Sequence, residues 1–188
     1  MNRRTLSLLF VFGLLIAIAV VGRVGQPAWN FTPLAAAALF AGRYFERLGI
    51  AVAVPLAALL ISDLAAPTHI SFAVMLTVYA AMAAPAFLGR LLRRLPASGS
   101  ARVVRWAVCL LGPSALFYLT TNLAVWLFQS DYPRTAAGLV DCYVAAAPFY
   151  RNMLAGDLFY SAVLFGAAGL AGVRWPSIQR PSPQRQRS

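Results

Sequence analysis

The side chains able to hydrogen-bond or carry charge within the apolar stretches of this chain gather at one set of run ends. Asn30 and Thr32 precede one apolar run, and Asp63 and His69 follow another. Asn122 and Trp126 lie near the end of a third, Tyr132 and Asp141 fall in a polar stretch, and Asp157 and Tyr160 open the last run. Tyr and Trp at such places often form an interfacial belt. That does not account for Asn122 or Asp157, because a polar group held in an apolar run needs a partner. Amides, carboxylates and aromatic faces together suit binding: polar groups orient a small organic molecule and rings pack against it. The expected site therefore comprises Asn30, Asp63, Asn122, Trp126, Tyr132, Asp157 and Tyr160. Asn122 and Asp157 should face a common cavity, with Trp126 and Tyr160 as its walls, and Asp157 should sit about one turn inside its span.

Catalysis fits the same residues poorly. A nucleophilic serine needs a base within reach. Here Gly99-Ser100 lies in a basic stretch, and the single histidine, His69, is in a loop. Asp63 and Asp157 stand at run ends outside any paired-carboxylate motif. There is no Cys/His ligand set for zinc and no phosphate-binding glycine loop. The expectation is no catalytic residue, no metal and no cofactor. Cys109 and Cys142 fall at different depths, too far apart to bridge, and read as small hydrophobes.

The elements that must position these groups are membrane spans. Apolar residues make up 61% of the 188 residues and charged ones 11%, against roughly 25% charged in an ordinary soluble domain. Mean hydropathy is +0.72. A net charge of +11 would suit nucleic acid, but the basic residues, all arginine, flank apolar runs. That placement orients a membrane protein and excludes a nucleic-acid partner. The runs are Thr5 to Val21, Leu34 to Phe45, Leu48 to Ser62, Phe72 to Gly89, Trp106 to Phe128 and Leu154 to Val173. The first follows Arg3 and Arg4 without a convincing cleavage site, so it reads as an uncleaved span. The second and third are short and read as crossings in locally thinned bilayer with snorkelling arginines. Thr32 and Pro33 look like a helix cap and first turn.

Cys142 to Arg151 is apolar, too short to cross and interrupted by Pro148. It reads as an external loop helix or a cap. Six spans then leave Arg23, Arg134 and Arg151 on one side and the other arginines opposite, a strong positive-inside pattern. The fold class is all-α: a polytopic six-transmembrane-helix bundle with both termini cytoplasmic. Residues 1–173 form a single membrane domain, and 174–188 a disordered basic tail. Gly13 and Ala17 make a small-xxx-small pair on the first span, and Ala35 to Ala38 a smooth face on the second. Either can admit a close helix, inside the bundle or from a partner.

Several blocks carry a family resemblance. They are Asn30-Phe31-Thr32-Pro33, Leu39-Phe40-Ala41-Gly42, Pro55 and Ser62-Asp63. Residues 117–126 (FYLTTNLAVW) follow, then Tyr132-Pro133, Cys142-Tyr143, Pro148-Phe149 and Gly156-Asp157-Leu158-Phe159-Tyr160. Over about residues 27 to 166 the chain resembles an uncharacterised bacterial family of small integral-membrane proteins. That family is similar in turn to the substrate-binding S components of energy-coupling factor (ECF) vitamin transporters. The resemblance implies a multi-pass protein of the bacterial cytoplasmic (inner) membrane with a vitamin-sized pocket under external loops. It also implies docking of the first helix to an energising module, a transmembrane T subunit with ATPases. Gly13 and Ala17 stand where such helices carry an alanine pair.

The expected function is therefore binding of a small organic nutrient from outside and help in moving it inward, as an S component or alone. A non-transporting scaffold subunit of an envelope complex is the alternative, and an intramembrane enzyme the third reading. Asp63, Asp131, Asp141 and Asp157 outnumber Arg23, Arg134 and Arg151 on the external side. On that count a neutral or cationic ring-containing ligand is preferred.

Overall fold

The computed structural model describes residues 2–65, 71–94, 99–173 and 175. His69 and the tail from 176 onward lie outside the described residues. Among the described residues there are six helices and no strand. They are α1 (Arg3–Val24), α2 (Leu34–Tyr44), α3 (Leu48–Ala65), α4 (Phe72–Arg94), α5 (Ser100–Phe128) and α6 (Ala136–Leu170). Five are long and apolar enough to cross a membrane, and α2 is not.

The helices run back and forth between two ends. At one end Arg4 pairs with Glu46 at 2.7 Å, and Arg90 and Arg93 reach the carbonyls of Glu46 and Phe45. At the other, Arg23 of α1 pairs with Asp63 of α3, and Trp126 of α5 bonds Pro133. We call these the arginine end and the cavity end.

The centre of the bundle is α2. Every residue from Leu34 to Gly42 is buried, and the helix packs against α4, α3, α6, α1 and α5. Its composition explains how. Four consecutive alanines, then Ala41 and Gly42, leave a rod thin enough for neighbouring backbones to approach. A Cβ on Gly42 would strike the Ala86 carbonyl oxygen, and one on Gly89 the Leu39 carbonyl oxygen, so α2 and α4 meet backbone to backbone. The smooth alanine face thus serves internal packing. Eleven residues rise about 16 Å, half of a hydrocarbon core of about 30 Å. No thinned bilayer is required, because protein rather than lipid surrounds the short helix. Arg43 does not snorkel: it donates to the Leu92 carbonyl at 2.9 Å and lies 4.8 Å from the Trp175 ring. Trp175 also packs on Phe40 and Phe165, so this residue of the expected tail is seated on the bundle.

α6 corrects a second expectation. Cys142 to Arg151 is neither a separate loop helix nor a cap but part of one 35-residue helix. At about 1.5 Å per residue it is roughly 52 Å long, well beyond a hydrocarbon core. Pro148 failed as a boundary because α3, α4 and α5 also carry an internal proline, Pro55, Pro85 and Pro113. Packed apolar helices tolerate proline where neighbours re-satisfy the freed carbonyl. α1 lies at the edge of the bundle, with only Leu15 and Ala19 buried. Gly13 and Ala17 are on its exposed face, and a Cβ at Gly13 would meet nothing within 4 Å.

Candidate functional site

Because α2 starts halfway through the bundle, the chain must descend to it without helical structure. Residues 25–33 do so, with Asn30 at φ 66°, a left-handed conformation that asparagine tolerates better than most residues. Local bonds hold the segment: Asn30 N–H donates to Gln26 Oε1 at 2.8 Å, and Asn152 of α6 donates to the Trp29 carbonyl at 3.1 Å. Gly156 of α6 allows the approach, since a Cβ there would crowd Phe31 and Thr32 backbone at 3.0–3.3 Å. Irregular backbone at this depth is tolerated where it is buried in protein or lines a cavity.

A cavity of about 460 Å³ lies beside this segment, over the start of α2. All six helices contribute to its wall. Arg23, Gln26, Asn30, Thr32, Ser62 and Thr121 are its polar residues, and the rest of the lining is apolar, including Val78, Met82, Phe117 and Met153. The volume falls in the range of small-molecule sites, as does a mainly apolar wall with few polar groups.

Arg23 is tied into a network. Its Nη1 donates to Ser62 Oγ and to Asp63 Oδ1, the latter at 2.6 Å, while Tyr79 donates to Asp63 Oδ2 at 2.9 Å. Ser62 Oγ donates back into its own helix, to the Ala58 carbonyl at 2.7 Å. The network joins the ends of α1 and α3 to α4. Both ion-pair side chains are mostly buried, at 16% and 13% exposure. The floor is the first turn of α2. Thr32 does not cap it; the helix begins after Pro33 with no side-chain cap bond. The first-turn N–H groups of Leu34, Ala35 and Ala36 have no acceptor among the described residues.

The expected site residues scatter around this cavity. Asn30 lines it. Asn122 and Asn30 share a smaller adjoining cleft of about 90 Å³, and the Asn122 amide donates to Tyr118 O, one turn back on its own helix, at 2.8 Å. Asp63 stands behind Arg23 and is not in the wall. Trp126 is drawn to the α5–α6 turn, donating to Pro133 O at 2.9 Å, with Arg134 over its ring at 5.7 Å. Tyr132 belongs to the same turn, between α5 and α6. Tyr160 packs on Phe31 with ring centroids 5.6 Å apart.

Asp157 differs most from expectation. It lies about six turns into α6, is 4% exposed, and accepts from Ser114 Oγ of α5 at 2.5 Å. It cannot snorkel to water from there, and it is in the wall of neither of these two cavities. Sequence reasoning missed Arg23, Gln26, Ser62 and the apolar wall. In the sequence Arg23 reads as an external, orienting charge, seven residues before Asn30.

Among the described residues no group of three or more His, Cys, Asp or Glu side chains could hold a metal ion. Cys109 and Cys142 are both free thiols. Neither the curated proteins nor the solved structures contain a match to the chain. A family model does match, across residues 3–178, and the chain belongs to that family, a family of unknown function designated DUF6580.

Proposed function

We propose that this protein is a membrane-embedded binding protein for a small organic nutrient, acting as, or like, the S component of an ECF transporter in a bacterial cytoplasmic membrane. The observation that carries the reading is the cavity over the shortened central helix. A bundle with only a structural role gains nothing from stopping its core helix halfway and filling the gap with irregular chain. With the arginine end in the cytoplasm, both termini are inside and the cavity opens toward the outside, as nutrient capture requires. The sequence resemblance to S components points the same way.

Native mass spectrometry of protein purified from its own host tests this reading. A bound small molecule is expected on the wild type and not on Val78→Trp, which places an indole in the cavity. No bound mass on either protein overturns it. Orientation is checked separately. In a cysteine-free background, a cysteine at Ser130 should label from outside intact cells and one at Ser182 only after permeabilisation.

A scaffold role is favoured by one observation: Asp157 is engaged in a bond between helices, with Ser114 of α5. The exposed Gly13 and Ala17 suit either reading, since an energising subunit or a complex partner could dock there. Gly13→Leu meets open space, so it should leave the melting temperature nearly unchanged. Partner co-purification and uptake should fall. If the variant instead melts early, Gly13 belongs to internal packing and partner docking through this face is wrong.

A further inference from the structure

The class of ligand can be read from the charge of the cavity wall, given the binding function proposed above. External carboxylates outnumber external arginines in the sequence, which favours a neutral or cationic ligand. The structure removes that argument. Among the described residues none of Asp63, Asp131, Asp141 and Asp157 lines the cavity, and the one charged side chain that does is Arg23. Asp63 lies behind Arg23, against Ser62 and Tyr79, and so presents the guanidinium rather than itself to the space.

The backbone adds the same sign. A helix N-terminus alone identifies no ligand, but this one opens on a cavity whose wall already carries a guanidinium. Leu34 lines that cavity, and the N–H groups of the first turn of α2 point along the axis toward it. The turn holds no acidic residue and no side-chain cap. Its partial positive charge faces the cavity beside Arg23. Half-helices with their N-termini at mid-membrane are a known way of holding anionic groups. The amide of Asn30 completes the polar side of the wall. The opposite wall is apolar and unbranched by charge: Val74, Val78, Met82 and Phe117.

We propose that the cavity takes a small organic acid, with one carboxylate turned toward Arg23 and the start of α2 and a compact apolar or ring-containing body against Val78, Met82 and Phe117. A cationic ligand would find no carboxylate in the described wall and would oppose the helix end. A neutral ligand would bring no charge to the positive end of the α2 dipole.

The test uses full-length protein in detergent and matched triplets of probes. One triplet is indole-acetate, indole-acetamide and tryptamine; another is phenylpropionate, phenylpropionamide and phenylpropylamine. Retention is measured by equilibrium dialysis on the wild type and three variants. Val78→Trp places an indole in the cavity. Arg23→Gln alone leaves Asp63 without its ion-pair partner and can fail to fold. The double variant Arg23→Gln/Asp63→Asn removes both charges, and gel filtration reports its folded state.

The acids should be retained on the wild type over their amides and amines. Val78→Trp should abolish retention. The double variant should weaken it roughly ten- to a hundredfold, the value of a charge-assisted hydrogen bond, and narrow the acid-over-amide ratio. Retention of amides or amines in preference to acids, still lost in Val78→Trp, overturns the acid proposal and leaves the binding function standing. Acid retention undiminished in the folded double variant also overturns it. If no probe exceeds the Val78→Trp background, the binding function falls with it.

Discussion

The two ends of α2 are finished in opposite ways. At the arginine end cations meet the C-cap carbonyl and the one after it: Arg93 donates to Phe45 O at 2.6 Å and Arg90 to Glu46 O at 2.8 Å. Both complement the negative end of the helix dipole. At the cavity end the first-turn N–H groups have neither acid nor cap among the described residues, and a cavity of about 460 Å³ lies over them. An unpaired buried donor costs about 1–3 kcal/mol. One end of α2 is met by cations and the other opens on the cavity. The arginine end and the glycine contacts fix the position of the helix.

The largest expected effect tests the fixed half. Gly42→Leu must push α2 off the Ala86 carbonyl, and backbone cannot give way as a flexible side chain can. The loss should exceed about 4 kcal/mol, read as a collapse of folded, monodisperse yield in detergent. Gly13→Leu on the open face of α1 is the control and should stay within about 0.5 kcal/mol of wild type. Equal losses in the two variants would mean that the α2–α4 backbone contact does not hold the central helix.

The second effect is smaller and belongs to the arginine end. Arg93→Ala removes a charge-assisted bond to the helix terminus and should cost about 1.5–3 kcal/mol, measured by thermal melting. Arg93→Lys keeps the charge and a donor and should lose less. A loss for Arg93→Lys as large as for Arg93→Ala would mean that packing of the arginine stem, rather than the capped carbonyl, is what this end requires.

How far the sequence disclosed this arrangement depends on what each signal reports. Apolar run length located all six helices, since burying twenty apolar residues leaves few alternatives in lipid. The same signal misjudged α2, because a run buried in protein and a run facing lipid look alike when both are alanine-rich. Pro148 misled because proline marks helix ends in water more reliably than in a packed membrane bundle. Of the expected site residues, Asn30 lies in the wall of the larger cavity. Their partners were not legible. Ser114 meeting Asp157 and Asp63 meeting Arg23 join residues 43 and 40 positions apart in the chain. Such pairings depend on helix rotation, and weakly amphipathic apolar helices leave rotation unmarked.

The smallest effect bears most directly on the open end of α2. Thr32→Asp places a carboxylate just before the first turn, where the structure has no cap. If those N–H groups lack an acceptor, the new carboxylate serves as one. Stability should then rise by about 0.3–1 kcal/mol, the usual value of an anion at a helix N-terminus. Thr32→Ala should change stability by less than about 0.5 kcal/mol, since the threonine hydroxyl makes no cap bond to lose. The same aspartate would stand in the cavity wall beside Arg23 and compete with any entering acid. The variant should therefore melt slightly later and retain the acid probes more weakly. A variant that melts later and yet retains the probes less ties the open end of α2 to the binding proposed above. If Thr32→Asp lowers stability and Thr32→Ala does too, Thr32 is already an effective cap. The two ends of α2 would then be finished alike, and the contrast between them would be lost.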